Sequence, residues 1–552
     1  MAFDGADRRK PAEYAAEAFK PQHVDTPVVT VEGPLVSTFS GQNQSQQNVD
    51  QIASTGATET SSDARGQTAV SVLDVELDAD TSKRTQKWAS DRLEKRVRAD
   101  YERSSRLLSE IVSDNLDTRV QLHAVRVVGA KSTRQGFLSK LIKPTLDLTN
   151  ASNDDGQPTA QTLGSLLRET RQLGHRFGQF DIFRDVQAGL EPSSSMLASA
   201  DDIDIVMRVQ EAPKYFIRTA TDVGDGEGSA TGTAKIRNAF GGAETIEGNV
   251  SFGTRTKNAF QLRFDTPVNG DPLTRVDLSL FSSHRDLTYF AGCFERARGF
   301  EARLRTLSRF GLHELAYDAV LRQVGEVAPS ASLSIREAAG DSVKSAMSHT
   351  WTRDTRDDLM TATRGSLIKA RQELAGLGGD VHFIKADNEF AISRELSPGT
   401  TLSFGAKSGV LLPLAGQSSS FIDRFHLGGP TSVRQFRPNA MGPRDNNDYT
   451  GGDLFWAAGV SVLAPFPRKT EWPLKLHAFL NSGRLVRWAQ TESSMSDTAK
   501  ALCRHPSVTV GAGLMYRHSL VRVEANVGVP VAATAQEGTV KGLQFGLGLS
   551  FL

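Results

Sequence analysis

The sequence predicts an all-β transmembrane barrel of about sixteen antiparallel strands, preceded by a small α+β domain. From residue 213 to the end, apolar and polar residues alternate in successive segments of roughly ten residues. Glycine is unevenly distributed, with 12 glycines in residues 1–212 and 36 in residues 213–552. Glycine-rich, alternating sequence is typical of strands joined by turns, so this change marks a domain boundary near residue 213.

Composition excludes several other classes of protein. The 552 residues carry 64 basic and 64 acidic side chains, so the chain lacks the excess positive charge of a nucleic-acid-binding protein. Two cysteines cannot form a disulfide framework or a multi-cysteine zinc site. No run of roughly 18 apolar residues predicts a membrane-spanning helix. Alternating strands can nevertheless cross a bilayer at a mean hydropathy of -0.32.

The N-terminal part divides into two predicted segments. Residues 1–81 are polar and poor in aromatic side chains, which predicts a disordered extension. Residues 82–117 are highly charged with apolar residues near helical spacing, which predicts a solvated helix. The start lacks a secretory signal and is too acidic for a typical cleaved mitochondrial presequence. We therefore expect any organelle-targeting signal to be internal.

Residues 118–212 predict the small α+β domain, with the element order β-α-α-β-β. A sheet covered by helices on one face has an edge strand that can accept an extended partner. The predicted strands are Gln121–Val128, Ile182–Leu190 and Ile203–Val209, and the predicted helices are Thr133–Lys143 and Thr159–Phe177.

Residues 213–552 predict the barrel, although alternation alone also fits a soluble sandwich. In a sandwich the apolar face packs into a core, whereas in a membrane barrel it faces lipid and the polar face lines the lumen. The strand Val521–Val529 shows the pattern, with Arg522, Glu524 and Asn526 on one face. About sixteen such strands favour one closed barrel over tandem sandwiches of roughly seven strands each.

One long connection, residues 413–453, differs from the other predicted turns because glycine, arginine and aspartate are concentrated in it. Connections of this length in a compact fold are usually functional. Its segment FHLGGPTSVRQF (425–436), followed by GPRD (442–445), resembles the signature loop of the BamA-type superfamily of outer-membrane barrel assembly proteins, the bacterial surface antigen family. The resemblance extends over residues 118–552 and implies that residues 118–212 are a single POTRA-type domain.

The resemblance implies that this connection folds back into the barrel. In the family, the arginine of a Val/Ile-Arg-Gly-Phe/Tyr tetrad contacts the lumen wall, and Gln435 replaces the glycine of that tetrad here. We expect Asn481, on the strand Leu474–Gly483, to be the wall partner of this arginine. The residues that match the loop motif are Gly428, Gly429, Val433, Arg434, Phe436, Gly442, Pro443, Arg444 and Asp445.

The first and last barrel strands carry the second implied site. The C-terminal residues match the polar-x-Gly-x-x-hydrophobic-x-hydrophobic signal of mitochondrial barrel proteins, the β-signal, at Gln544, Gly546, Leu549 and Phe551. The resemblance implies a lateral gate between this strand and the first strand, and the glycines of the last strand, which weaken its packing, agree with that expectation. The first-strand residues of this gate are Lys214, Tyr215, Phe216, Ile217 and Arg218.

A single POTRA-type domain and a hydrophilic N-terminal extension resemble the mitochondrial branch, the barrel subunits of the sorting and assembly machinery (SAM). This resemblance implies a location in the mitochondrial outer membrane, with the POTRA-type domain in the intermembrane space. It implies insertion of β-barrel precursors through the lateral gate. The implied partners are accessory cytosol-facing SAM subunits, precursor substrates and the lipid bilayer, and no nucleic acid.

The alternative functions are a polypeptide-translocating channel and a porin-like pore. An enzyme is disfavoured, because the glycines of residues 224–232 do not have the spacing of a nucleotide-binding loop. His313 and Glu314 lack the second histidine of a zinc site. The sequence shows no nucleophile–base set, so we expect no catalytic residue, cofactor or metal.

Overall fold

The structure is a computed structural model that describes residues 79–548 except 150–160, 197, 200, 225–226, 415, 417, 468–471, 489–499, 501 and 518–521. Residues 1–78 of the predicted disordered extension, and Leu549 and Phe551 of the last strand, lie outside the described residues. The first described element is helix α1 (Ala79–Asp114), which begins and ends three residues before the predicted helix over residues 82–117. None of the helices in the described residues is long and apolar enough to cross a membrane.

A small α+β domain follows helix α1. Its elements are β1 (Arg119–Val128), α2 (Gln135–Thr149), β2 (Gln161–Thr162), α3 (Leu163–Gly178), β3 (Phe183–Pro192) and β4 (Asp202–Glu211). The two helices lie against one four-stranded sheet of order β2-β1-β4-β3, in which β1 and β4 are parallel and β3 is an edge strand. The two-residue strand β2 is the element that the sequence pattern did not predict.

Helix α3 forms where the sequence places leucines on one face and a capping residue before them. Thr162 accepts a hydrogen bond from the backbone N–H of Ser165, whose hydroxyl accepts one in return from the backbone of Thr162. Leu166, Leu173 and Phe177 are buried against the sheet. These apolar contacts form the core of the domain.

The remaining chain forms one antiparallel sheet of sixteen strands, which confirms the predicted fold class. The strands follow one another in sequence order, and a small separate hairpin lies between the eleventh and twelfth of them. They are β5 (Tyr215–Gly224), β6 (Glu227–Arg237), β7 (Thr245–Gly253), β8 (Thr256–Val268), β9 (Asp271–Asp286), β10 (Phe294–Ser308), β11 (Gly311–Gly325), β12 (Gly340–Asp354), β13 (Gly365–Gly379), β14 (Phe383–Ser397), β15 (Thr400–Pro413), β18 (Leu454–Pro465), β19 (Leu474–Val486), β20 (Ser507–Arg517), β21 (Arg522–Ala532) and β22 (Gly542–Gly548).

Burial along the strands distinguishes the barrel from a sandwich. On β9, Leu280 is 53% exposed whereas its neighbour Ser279 is 2% exposed and Asp277 is 3% exposed. Arg305 of the adjacent strand β10 forms ion pairs with Asp277 and with Asp265 of β8. Apolar side chains therefore face outward and charged side chains pair on the inner wall, as a lipid-facing barrel requires.

The two edge strands of this sheet, β5 and β22, form a seam. Each has one hydrogen-bonded neighbour, β6 for the first strand and β21 for the last. The edges approach each other, but among the described residues no hydrogen-bonded ladder joins them.

The two ends of the barrel carry different structures. At the end where β5 begins, the small domain is docked on barrel turns: Asn238 Nδ2 donates to Thr133 Oγ1 at 3.1 Å, and the Arg134 N–H donates to the Gly241 carbonyl at 2.8 Å. At the other end lie the long connection before β18 and two one-turn helices. The smaller elements at this end are α4 (Thr288–Ala291), α5 (Leu333–Glu337), β16 (Arg444–Asp445) and β17 (Asp448–Tyr449).

Candidate functional site: the inward loop and the seam

The connection between β15 and β18, here called the inward loop (residues 413–453), packs against the inner wall of the barrel. Its first residue, Pro413, is the last residue of β15. Val433, Phe436 and Met441 are fully buried in one cluster with wall residues such as Leu485 of β19. The loop residues therefore contribute to a core inside the barrel.

Arg434 is the largest fully buried side chain of the inward loop. Its Nε donates to Glu524 Oε2 at 3.0 Å, its Nη2 donates to Glu524 Oε1 at 3.3 Å, and its Nη1 donates to Asn481 Oδ1 at 3.2 Å. The guanidinium also lies over the Phe479 ring, 5.1 Å from the centroid. A fork of N–H donors matches a carboxylate in this way, whereas a buried cation without acceptors would be costly.

Sequence reasoning proposed Asn481 but missed Glu524, which lies on β21. Arg522, on the same strand, also forms an ion pair with Glu524, and Asn526 Nδ2 donates to Glu524 Oε2 at 2.8 Å. The alternation of apolar and polar residues on this strand predicts that Glu524 faces the lumen. Its pairing with a loop 90 residues earlier could not be read from that pattern.

Glycines of the loop motif adopt backbone conformations that other residues avoid. Gly428 and Gly429 have φ angles of 111° and 119°, and Gly442 has a φ of 84°. A Cβ on Gly442 would lie 2.8 Å from side-chain atoms of Leu485. All three positions therefore need glycine for the backbone turn, and Gly442 also needs it for close packing on the wall.

The two charged residues of the GPRD segment, Arg444 and Asp445, make different kinds of contact. Arg444 is exposed and donates to Asn447 Oδ1 at 3.1 Å. Asp445 Oδ2 accepts from the Ser334 hydroxyl at 2.8 Å and from the Ser334 N–H at 3.1 Å. These hydrogen bonds hold the pKa of the Asp445 carboxyl below its ordinary value. Asp445 therefore attaches the loop to helix α5, and Arg444 stays on the surface.

A second buried ion pair fixes the first part of the inward loop and was also missed. Arg322 of β11 donates to both carboxylate oxygens of Asp423, at 2.7 and 3.1 Å. Lys385 of β14 donates to the Asp423 carbonyl at 2.7 Å. Because both side chains of the pair are almost completely buried, the loop is held at two separate points on the wall.

The predicted gate residues lie at the barrel end that carries the small domain. Lys214 precedes β5, and its Nζ contacts the Ala239 carbonyl at 3.4 Å. Tyr215 and Ile217 are largely exposed, whereas Phe216 lies under the Arg237 guanidinium at 5.2 Å. Arg218 pairs with Thr233 in the β5–β6 ladder.

On the last strand, Gln544 faces the lumen and Gly546 is buried opposite Glu524 of β21. Among the described residues, Gln544 is the one predicted β-signal residue that contacts the inward loop, since its side chain hydrogen-bonds to Gln435 and Phe436. The structure thus brings the loop motif and the last strand together. In the described part of the chain, the first strand lies beside the last strand without a ladder and has no hydrogen bond to the loop motif.

In the described residues, these features define a sixteen-stranded barrel that follows one small α+β domain of POTRA type and holds a loop in its lumen. The model of the Omp85 superfamily domain matches residues 238–551. A SAM50-like protein of Schizosaccharomyces pombe is 35% identical over 458 residues, 82% of this chain and 95% of that protein. The human sorting and assembly machinery component 50 homolog is 30% identical over 400 residues, 71% and 85% of the two chains.

Among solved structures, BamA from Haemophilus ducreyi lacking POTRA domains 1–3 matches with a TM-score of 0.63 at 13% identity, over 78% of this chain and 84% of that one. At that identity the likeness shows the fold alone. The chain belongs to the Omp85 superfamily and, within it, to the SAM50 family. It is accordingly a β-barrel protein of the mitochondrial outer membrane, and its family supports a role in barrel assembly there.

Proposed function

We propose that this chain is the core subunit of the sorting and assembly machinery, and that it inserts β-barrel precursors through a lateral gate between β5 and β22. In this arrangement the POTRA-type domain lies in the intermembrane space, and accessory SAM subunits bind from the cytosolic side. The precursor's β-signal strand pairs with the edge of β5.

The observation that carries this proposal is the seam, where two strand edges lie side by side without a ladder in the described residues. Backbone N–H and C=O groups cannot remain unpaired in lipid, so an edge strand of a precursor needs a partner as it enters the bilayer. An unpaired edge is a template for an added strand. The seam therefore supplies the hydrogen-bonding partner that an inserting strand lacks.

Composition of the last strand supports opening at this position. β22 has three glycines, Gly542, Gly546 and Gly548, among its seven described residues. Glycine contributes no side-chain packing to a sheet, so this edge is held weakly by its neighbours. By contrast, the long ladder between β10 and β11 pairs fifteen residues on each strand.

The packing of the inward loop disfavours a wide passive pore. Its buried cluster and two buried ion pairs attach it to β11, β19 and β21. A loop held in this way occupies the lumen instead of leaving it open. The seam is therefore the better candidate for the route of a precursor into the membrane.

A disulfide across the seam tests the proposal. With Cys293 and Cys503 replaced by serine, cysteine pairs between residues 216–220 and 543–547 should form a disulfide that stops assembly of imported barrel precursors, and reductant should restore assembly. The matched control is Leu280→Cys with Phe300→Cys, register partners in an existing ladder, which should leave assembly unchanged.

Crosslinking is the second test. In the reduced protein, single cysteines in residues 214–221 should crosslink to a precursor's β-signal. Normal assembly with the seam locked, or no crosslink at either seam strand, would refute the gate.

A further inference from the structure

The inward loop is attached to the segment that leads into the last strand. Phe436 and Thr539 form an antiparallel β-bridge. The Arg437 N–H donates to the Gly538 carbonyl, the Gly538 N–H to the Ala440 carbonyl, and the Val540 N–H to the Gln435 carbonyl, each at 2.8 Å. A short two-stranded contact therefore joins the loop to residues 538–540, directly before β22.

The side chain of Gln544 extends this contact onto β22 itself. Gln544 Oε1 accepts from the Gln435 backbone N–H at 2.8 Å, and Gln544 Nε2 donates to the Phe436 carbonyl at 2.9 Å. One side chain of the last strand thus pairs with the loop backbone as a neighbouring strand would. Making both hydrogen bonds at once requires the amide, since a carboxylate keeps the acceptor but lacks the donor, and an aliphatic side chain lacks both groups.

Gln435 contributes from the loop side. It is fully buried with a φ of 65°, the left-handed region that a glycine would occupy more readily. In the amide orientation that satisfies both of its polar atoms, its side-chain nitrogen donates to the Val540 carbonyl at 2.9 Å and to the Gly528 carbonyl at 3.2 Å. A glutamine at this strained position is therefore compensated by bonds to the last hairpin.

The first strand has no such attachment. In the described part of the chain, no hydrogen bond joins β5 to the inward loop. Besides its ladder, β5 is held at the POTRA end by Arg237, the last residue of β6. The Arg237 N–H donates to the Lys214 carbonyl at 2.8 Å, and the Arg237 guanidinium covers Phe216 and pairs with Asp181 of the small domain. The two edges of the seam are thus held by different parts of the molecule.

We propose that Gln435 and Gln544 form an interlock that keeps β22 on the inward loop while the seam opens, so that β5 is the edge released to pair with a precursor. This inference rests on the lateral gate proposed above and assigns the two glutamines as positioning residues. When the edges separate, β22 retains its ladder to β21 and its bonds to the loop, whereas β5 retains only its ladder to β6 and its attachment to the POTRA side.

Hydrogen exchange of the full-length protein in lipid nanodiscs tests the interlock directly. In Gln544→Leu, backbone amides of residues 540–548 should exchange about tenfold faster, the factor expected for the loss of one or two hydrogen bonds. Exchange in the β10–β11 ladder should not change. Gln544→Glu keeps the acceptor for the Gln435 N–H and should give a smaller increase. Gln435→Gly relieves the positive φ, so any increase in this variant reports the lost side-chain bonds.

Gln261→Leu is the matched control, because this glutamine of β8 has no hydrogen bond to the inward loop among the described residues and should leave residues 540–548 unchanged. Unchanged exchange of residues 540–548 in Gln544→Leu would overturn the interlock. An equal rise in all strands would also overturn it, because that is the result of general destabilisation.

Failure of the interlock can be distinguished from failure of the lateral gate, because the two experiments measure different quantities. If a locked seam permits assembly while Gln544→Leu still accelerates exchange of β22, the gate fails and the attachment of β22 to the loop stands. If the locked seam blocks assembly and β22 is unaffected by Gln544→Leu, the gate stands and the interlock fails. With both confirmed, Gln544→Leu should also shift some precursor crosslinks from β5 to cysteines on β22, whereas Gln261→Leu should not.

Discussion

Arg434 of the inward loop and Glu524 of β21 form a two-point ion pair from which solvent is completely excluded. Asn481 and the Phe479 ring complete the surroundings of the guanidinium. This pair joins the lumen-filling segment to the last but one strand, so the loop and the C-terminal side of the seam are fixed to each other.

Arg434→Ala should release the inward loop while the barrel still inserts in the membrane. Removing one partner of a buried ion pair typically costs about 3–5 kcal/mol, although Glu524 keeps Arg522 as a partner here. We expect faster proteolysis within the loop and loss of precursor assembly, with membrane insertion and heat-modifiable gel mobility retained. Arg444→Ala is the control, because this exposed arginine of the same loop makes no buried ion pair among the described residues. Normal assembly by Arg434→Ala would contradict the role given to the loop.

Arg322→Ala should free the first part of the inward loop and leave the Arg434 contact intact. Asp423 would then lose both of its side-chain hydrogen bonds from Arg322. We expect new protease cleavage near residues 418–424 and a lower melting temperature. Arg296→Ala, which removes an exposed pair with Glu326, should change the melting temperature little. Equal effects of the two substitutions would show that the Arg322 pair does not anchor the loop.

Docking of the POTRA-type domain on the barrel should weaken in acid. Asp181 accepts from Lys235 Nζ at 2.7 Å and from Arg237 Nε at 3.1 Å. Burial acts to raise the pKa of Asp181, but its hydrogen bond and charge attraction with Lys235, together with those of Arg237, outweigh it and lower this pKa below the ordinary 3.8.

Because this pKa is lowered by docking, its contribution is fully present above the ordinary value and is lost as the pH falls through and below it. Hydrogen exchange of residues 238–244 should therefore be slow and constant down to about pH 5, after correction for the intrinsic rate, and should increase below about pH 4. Asp181→Asn should weaken docking already at neutral pH and remove this acid dependence. An acid response that persists in Asp181→Asn would assign it to another group.

Arginine should be far less tolerated on the outer face of β9 than on its inner face. Leu280 is an exposed outer residue, and Ser283 lies on the opposite, inner face of the same strand. An arginine near the bilayer centre of a barrel costs about 2–4 kcal/mol, whereas a lumen position can solvate it. Leu280→Arg should lower the urea midpoint of unfolding in liposomes much more than Ser283→Arg. Similar midpoints would mean that the outer face is not in contact with lipid.

The strand count could be predicted because alternation repeats in each strand and each repeat is visible locally. The boundaries were less accurate: β1 begins at Arg119, before the predicted Gln121, because alternation does not mark the residue at which a strand starts. The one-turn helices α4 and α5 were not predicted, since four or five residues cannot establish a helical period. The hairpin of β16 and β17 was missed for the same reason.

The buried arginine of the loop could be proposed from its motif, but most of its surroundings could not. Glu524 and Asp423 meet their arginines across 90 and 101 residues of sequence, and alternation gives the face of a residue without its partner. Gln435 was visible as a departure from the family pattern. Its bonds to Val540 and Gly528 depend on how the last hairpin curls over the loop, which only the folded chain shows.

The connection between the POTRA-type domain and the barrel consists of three residues, Ala212, Pro213 and Lys214, between the end of β4 and the start of β5. Three extended residues reach at most about 10 Å, and proline removes one rotational freedom. The Ala212 N–H is bonded to the Ile182 carbonyl and the Lys214 carbonyl to the Arg237 N–H, so both ends of this link are fixed. Because this link is short and fixed at both ends, a movement of the POTRA-type domain relative to the barrel displaces the start of β5 directly.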